Sequence, residues 1–196
     1  YGTTLTIRNY LYGDSHVVIY TAEMPERDFL PPADAHMDIL GGVMELLSDM
    51  VLHPLREANG NLRYPFIVPG APYPFELWDW DSWLTDIAIR QILIDNGESG
   101  DDYIDYERGC ILNFLEHTDE KGSMPILIDS TKEVTFLANC KNMHKPCLAQ
   151  HLAFILKMSG DDTSWLGEEH FAALERFIEC YRRDYRHGET GLYRFL

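Results

Sequence analysis

The sequence predicts an all-α architecture of antiparallel helical hairpins stacked side by side, as in an α/α toroid or solenoid, behind a short β-rich N-terminal segment. Two observations predict it. Apolar residues recur at three-and-four spacing in five separate stretches, the mark of helices with one buried face. The connections between these stretches also alternate in length, long before the second and fourth and short after each. Hairpins packed side by side produce that alternation, because their short turns collect at one end and their long loops at the other.

In chain order, Leu5-Thr6-Ile7 and Val17-Val18-Ile19-Tyr20 flank the turn signal Tyr12-Gly13-Asp14-Ser15, which predicts a hairpin in a β-rich segment over residues 1–36. After Pro31-Pro32, Leu40, Val43, Met44, Leu47 and Val51 predict a helix over 37–53, opening a helical domain over 37–196. Pro65, Pro69, Pro72 and Pro74 then make a long shaped loop. Asp81 is a candidate N-cap for a second helix carrying Trp83, Leu84, Ile87, Ala88, Ile92 and Leu93, apolar nearly all round and closed by Asn96-Gly97. Ile104, Ile111, Leu112 and Leu115 mark a third helix. Residues 118–146 form the second long connection, with short strands at 126–128 and 134–136. Pro146 suits the first turn of a fourth helix with Leu148, Leu152, Ile155 and Leu156. A fifth follows with Phe171, Leu174, Ile178, Tyr181 and Tyr185.

In this scheme the second and fourth helices are inner, and their N-termini point at the long-loop face with free N–H groups and positive dipole ends. A site is expected there. One repeat, from Asp81 to Pro146, spans about 65 residues, so six would need about 390. A closed six-hairpin ring therefore requires more chain than these 196 residues.

Charge narrows the partners. Sixteen Lys and Arg against 32 Asp and Glu leave a net charge of −16, with the basic residues scattered singly. Polyanions need clustered cations, so nucleic acid and anionic membrane are poor partners. No apolar run approaches the roughly 18 residues of a membrane helix. The four cysteines lack paired metal-ligand spacing and read as buried free thiols, and the eight histidines show no ligand motif, so neither a metal nor a cofactor is expected. His144, His151 and His187 read as polar or packing residues. Asp101-Asp102 and Asp161-Asp162 read as helix-start capping residues, and Glu168-Glu169 as a solvated first turn. The motifs of nucleophile elbows and phosphate loops are absent.

One segment concentrates chemistry. Tyr73-Pro74-Phe75-Glu76-Leu77-Trp78-Asp79-Trp80-Asp81-Ser82-Trp83 holds three of the four tryptophans and three carboxylates. Indole faces stack on the C–H faces of pyranose rings while a carboxylate accepts hydrogen bonds from two hydroxyls, so this alternation at a cleft mouth suits sugar binding. Capping by Asp81 and burial of the tryptophans is the competing use of the same residues.

Pro-Gly followed by Glu-Leu-Trp-Asp-Trp-Asp-Ser-Trp resembles the first signature of the clan of inverting (α/α)6 glycoside hydrolases that contains the trehalases of family 37 and the processing α-glucosidases and mannosylglycerate hydrolases of family 63. Trehalases carry Trp-Asp-Ser-aromatic with a Glu five positions before the Asp, matched here by Trp80, Asp81, Ser82, Trp83 and Glu76. The shorter family 63 version resembles Pro69-Gly70, Tyr73, Trp80 and Asp81. Asn142-Met143-His144-Lys145-Pro146 is similar to a second segment, with Lys145 where Gln is usual and Cys147 in place of a second Pro. Trehalases place Arg where Tyr73 stands, which favours the family 63 branch.

The resemblance implies an (α/α)6 toroid and inverting hydrolysis of an α-linked gluco- or manno-configured glycoside, with an oligosaccharide or small glycoside as partner. Trp80 and Asp81 take the −1 subsite role, Tyr73, Phe75 and Trp78 wall the pocket, and Asp79 and His144 are further polar contacts. Inversion needs an acid and a base about 6.5–9.5 Å apart. By the resemblance these carboxylates are expected C-terminal to Leu196, and the remaining half of the toroid on the same or another chain. The first alternative is a non-catalytic carbohydrate-binding helical-repeat protein using the same aromatic loop. The second is another (α/α)6 enzyme, a lyase or epimerase.

Overall fold

Antiparallel pairing of Thr4–Tyr12 (β1) with Ser15–Glu23 (β2) makes the expected N-terminal hairpin, each strand nine residues long and in register from Thr4 opposite Glu23 to Tyr12 opposite Ser15. The computed structural model describes residues 4–12, 15–23, 41–43, 45–46, 53–70, 72–132 and 143–193. Residues 41–43 and 45–46 are helical, and the rest of the helix expected over 37–53 lies outside the described residues, as does the strand expected at 134–136. The chain divides into two units, 1–45 and 46–196.

Helices and small two-stranded sheets build the second unit. The helices are Asp79–Asp95 (α1), Ile104–Glu116 (α2), Leu148–Met158 (α3) and Glu168–Cys180 (α4). A turn of 3₁₀ helix at Asp101–Tyr103 leads into α2, and a π turn at Tyr181–Tyr185 prolongs α4. The first helix packs on α3, while α2 packs on both α3 and α4. Among the described residues no helix is long and apolar enough to cross a membrane.

The Pro-rich loop is more ordered than its proline spacing suggests. Leu55–Arg56 (β3) pairs with Phe66–Ile67 (β4), β4 packs on α2, and Leu62, Phe66, Ile67 and Val68 are buried in the core. Prolines flank these paired residues without interrupting them. Gly109 of α2 makes this packing possible, because a Cβ there would collide with the Pro65 carbonyl. The adjoining Asn113 side chain ties the loop to the helix, donating from Nδ2 to the Tyr64 carbonyl at 3.1 Å and accepting the Tyr64 N–H at 3.3 Å.

Two helix starts differ from expectation. The first helix begins at Asp79, with Trp78 as an N-cap that makes no side-chain capping bond, so Asp81 is the third helical residue and not the cap. The sheet causes this shift. Glu76–Trp78 (β5) pairs with Leu127–Asp129 (β6), and the Asp79 N–H donates to the Ile126 carbonyl at 3.1 Å, so the chain stays extended up to Trp78. The expected fourth helix, α3, starts at Leu148 behind Cys147, which leaves Pro146 just before the helix instead of in its first turn. Asp161 and Asp162 likewise sit in the α3–α4 loop, not at a helix start. Asp161 adopts φ 61°, while Asp162 accepts the Ser164 N–H at 2.9 Å and pairs with Arg108 at 2.7 Å. Glu168 and Glu169 do occupy a first turn, where their charge suits the helix dipole.

Candidate functional site

The helices that follow the two long connections, α1 and α3, have their starts tied together. Asp79, the first residue of α1, is 1% exposed, and its Oδ2 accepts the Lys145 main-chain N–H at 3.0 Å. The Lys145 ammonium lies 3.3 Å from the same oxygen. The loop before α3 therefore bonds to the first turn of α1, while β5 and β6 join the same two connections by main-chain pairing. The other carboxylate oxygen of Asp79 is buried without a partner among the described residues.

Around this junction the expected residues divide into exposed and buried sets. Trp80 is 50% exposed, with Lys145 Nζ 4.8 Å from its ring centroid. Asp81 is half-buried, and no described residue donates a hydrogen bond to it. Tyr73 and Phe75 are exposed. Trp78 packs edge-on against Tyr73 at 6.0 Å, and its Nε1 donates to Glu76 Oε2 at 2.8 Å, which fixes the indole orientation. These aromatics and Asp81 present carbon faces and oxygen acceptors on one short stretch.

His144 does not join the exposed set. It is 1% exposed, edge-on to Phe114 at 4.5 Å and to Phe177 at 5.6 Å. Burial, the largest cause, pushes its pKa down to about 4, so it is neutral near pH 7. Its main chain is held on both sides: the N–H donates to the Met124 carbonyl at 3.0 Å, and its carbonyl accepts the Tyr181 hydroxyl at 2.7 Å. His144 thus packs in the core and fixes the loop that carries Lys145. The packing expectation for this histidine fits its surroundings, and the sugar-contact expectation does not. Asp79 is also withdrawn from the surface, engaged with Lys145.

A second polar cluster lies deeper. Asp79, Ser82, Asp86 and Arg90 form a stripe at three-and-four spacing along α1, and it faces inward. Ser82 Oγ donates to the Ile67 carbonyl at 2.6 Å. Arg90 makes a two-pronged ion pair with Glu107 of α2, and its Nη1 donates to the Ser99 carbonyl at 3.2 Å. Asp86 Oδ2 meets His151 Nε2 of α3 at 3.1 Å, with the Trp83 ring stacked on His151 at 6.0 Å. Burial lifts the Asp86 pKa to about 6 and lowers that of His151 to about 3, while it raises that of Glu107 against the opposing pull of Arg90. Proline and glycine punctuation carried no hint of this cluster. The signal was the polar stripe itself, hidden in a helix whose sequence reads as apolar nearly all round.

Cys110 and Cys180 are buried free thiols and Cys147 is partly exposed, while Cys140 lies outside the described residues. Among the described residues no group of three His, Cys, Asp or Glu side chains is placed to hold a metal ion. No family model, no curated protein and no solved structure matches this chain.

Proposed function

We propose that this chain carries the sugar-binding face of an inverting glycoside hydrolase built on an (α/α)6 toroid, acting on an α-linked gluco- or manno-configured glycoside. The observation that carries the proposal is the Trp80–Asp81 step. A half-exposed indole stands beside a carboxylate with no hydrogen-bond partner among the described residues, in the first turn of α1. That is the end where both long connections meet. A pyranose would stack on Trp80 and donate hydroxyl hydrogen bonds to Asp81, with Tyr73, Phe75 and Trp78 as the surrounding wall.

The helix packing supports the toroid half of the reading. Contact of α1 with α3, and of α2 with α4, is the pairing expected when alternate helices form an inner and an outer row. Their common end is fixed by the Asp79–Lys145 bond, as stacked hairpins require. The resemblance of the motif supplies the reaction class, inversion by an acid and a base.

Calorimetry with glucose, mannose and deoxynojirimycin-type inhibitors tests the proposal, using the protein and its Trp80→Ala and Asp81→Ala variants. The expected result is binding that weakens at least about tenfold in each variant, since hydrogen bonds to a charged group and aromatic stacking each contribute on the order of 1–3 kcal/mol. Melting temperatures should hardly move. Equal affinity in the variants, or no binding by the parent protein, overturns the carbohydrate reading.

A further inference from the structure

The aromatic platform has a cation on it. Lys145 Nζ stands 4.8 Å from the Trp80 ring centroid and 3.3 Å from Asp79 Oδ2, so the ammonium is held between a buried carboxylate and an indole face. An ammonium this close to an indole face is attracted by the ring quadrupole. The backbone of Lys145 is held independently of its side chain. Its N–H donates to Asp79 Oδ2, its carbonyl accepts the Cys147 N–H at 2.7 Å, and the preceding His144 is bonded to Met124 and Tyr181. Three residues from two helix starts thus form one relay, from Asp79 through Lys145 to Trp80.

We infer that Lys145 is a positioning residue of the carbohydrate site. Its ammonium covers one face of Trp80 and fixes the tilt of the indole, leaving the opposite face for a single pyranose ring. This rests on the carbohydrate reading above. Trp80 stays 50% exposed with the ammonium beside it, so indole surface is left on which a ring can stack. Lys145 acts through Trp80 and does not contact a sugar on the far face, because the indole lies between them. Charge points the same way. Asp79 neutralises Lys145, so the pair does not select an anionic ligand, and a chain of net charge −16 disfavours one.

Lys145→Met removes the charge and keeps the stem, and Lys145→Arg keeps a cation able to stack. With the Lys145 side chain only 22% exposed but its backbone bonds intact, both variants should fold. Two quantities are read on the whole protein: the Trp80 indole N–H resonance, assigned by its loss in Trp80→Phe, and the calorimetric affinity for methyl α-glucoside and methyl α-mannoside. Lys145→Met should shift the resonance and weaken binding about fivefold to tenfold while the protein still melts cooperatively, at a lower temperature because the buried Asp79 loses its ammonium partner, and Lys145→Arg should restore all three. An unmoved resonance in Lys145→Met overturns the clamp. A shifted resonance with unchanged affinity overturns the positioning role. If the parent protein binds neither glycoside, the carbohydrate reading falls and the positioning role with it, while the resonance still reports whether the clamp exists.

Discussion

The two sides of α1 reverse the usual arrangement of a surface helix. Inward, Asp79, Ser82, Asp86 and Arg90 are buried beside Ile89 and Leu93. Outward, Trp80, Leu84, Ile87 and Ile94 are exposed. Burying charged and polar groups costs free energy unless each has a partner, and α1 finds three: Lys145 pairs with Asp79, Glu107 pairs with Arg90, and the neutral His151 imidazole hydrogen-bonds Asp86. The buried side therefore specifies which helices lie against α1. The outward side is free of that duty and carries the aromatic step at its start.

The largest effect should come from breaking the buried side. Glu107→Ala leaves Arg90 enclosed without its carboxylate and should cost about 3–5 kcal/mol, read as a lower urea midpoint at an unchanged slope. A loss below about 1 kcal/mol would mean that water reaches Arg90 and that the contrast between the two sides is false.

A pH series sharpens the same contrast. Asp86 is raised by burial to about 6 in the folded chain, against about 3.9 unfolded. The folded state holds the proton more tightly, so the stability contributed by this group is complete below about pH 4 and lost as pH rises through 6. His151 has the opposite sign. Lowered by burial to about 3, it contributes stability above about pH 6.5 that disappears as pH falls toward 3. Asp86→Asn removes only the first dependence, so relative to the parent its stability should improve steadily from pH 4 to pH 6. Denaturant midpoints across that range check it, and a constant difference between the two proteins would place Asp86 in solvent.

The smallest effect should fall on the outward side. Leu84, 57% exposed, should accept Ser within about 0.5 kcal/mol. A loss of 2 kcal/mol or more on Leu84→Ser in thermal melts would show that this face is covered in the protein as it exists in solution.

Much of the helical frame was legible because it depends on local periodicity. Leu148, Leu152 and Ile155 of α3, and Ile111 and Leu115 of α2, are buried as their spacing requires. The pairing of β1 with β2 was also readable, since two β-rich runs flank a turn signal in the sequence. The Pro-rich loop was not. Leu62, Phe66, Ile67 and Val68 have no periodicity to reveal that they are core, because their burial follows from Gly109 admitting the loop against α2. Of the site, the concentration of Trp80, Asp81, Tyr73 and Phe75 could be read directly, whereas the withdrawal of Asp79 and His144 could not. Both are buried by groups thirty or more residues away along the chain.

By itself, then, the sequence determined where helices form and where aromatic and acidic side chains crowd together, since both are properties of near neighbours in the chain. Tertiary structure alone decided which side of α1 turns inward, which carboxylate meets Lys145, and which tryptophan stays open. The physical reason is that a buried charged or polar group is tolerable only where a partner from another element reaches it, and Glu107, Lys145 and the hydrogen-bonding His151 are brought to α1 by the packing of α2, α3 and the loop between them.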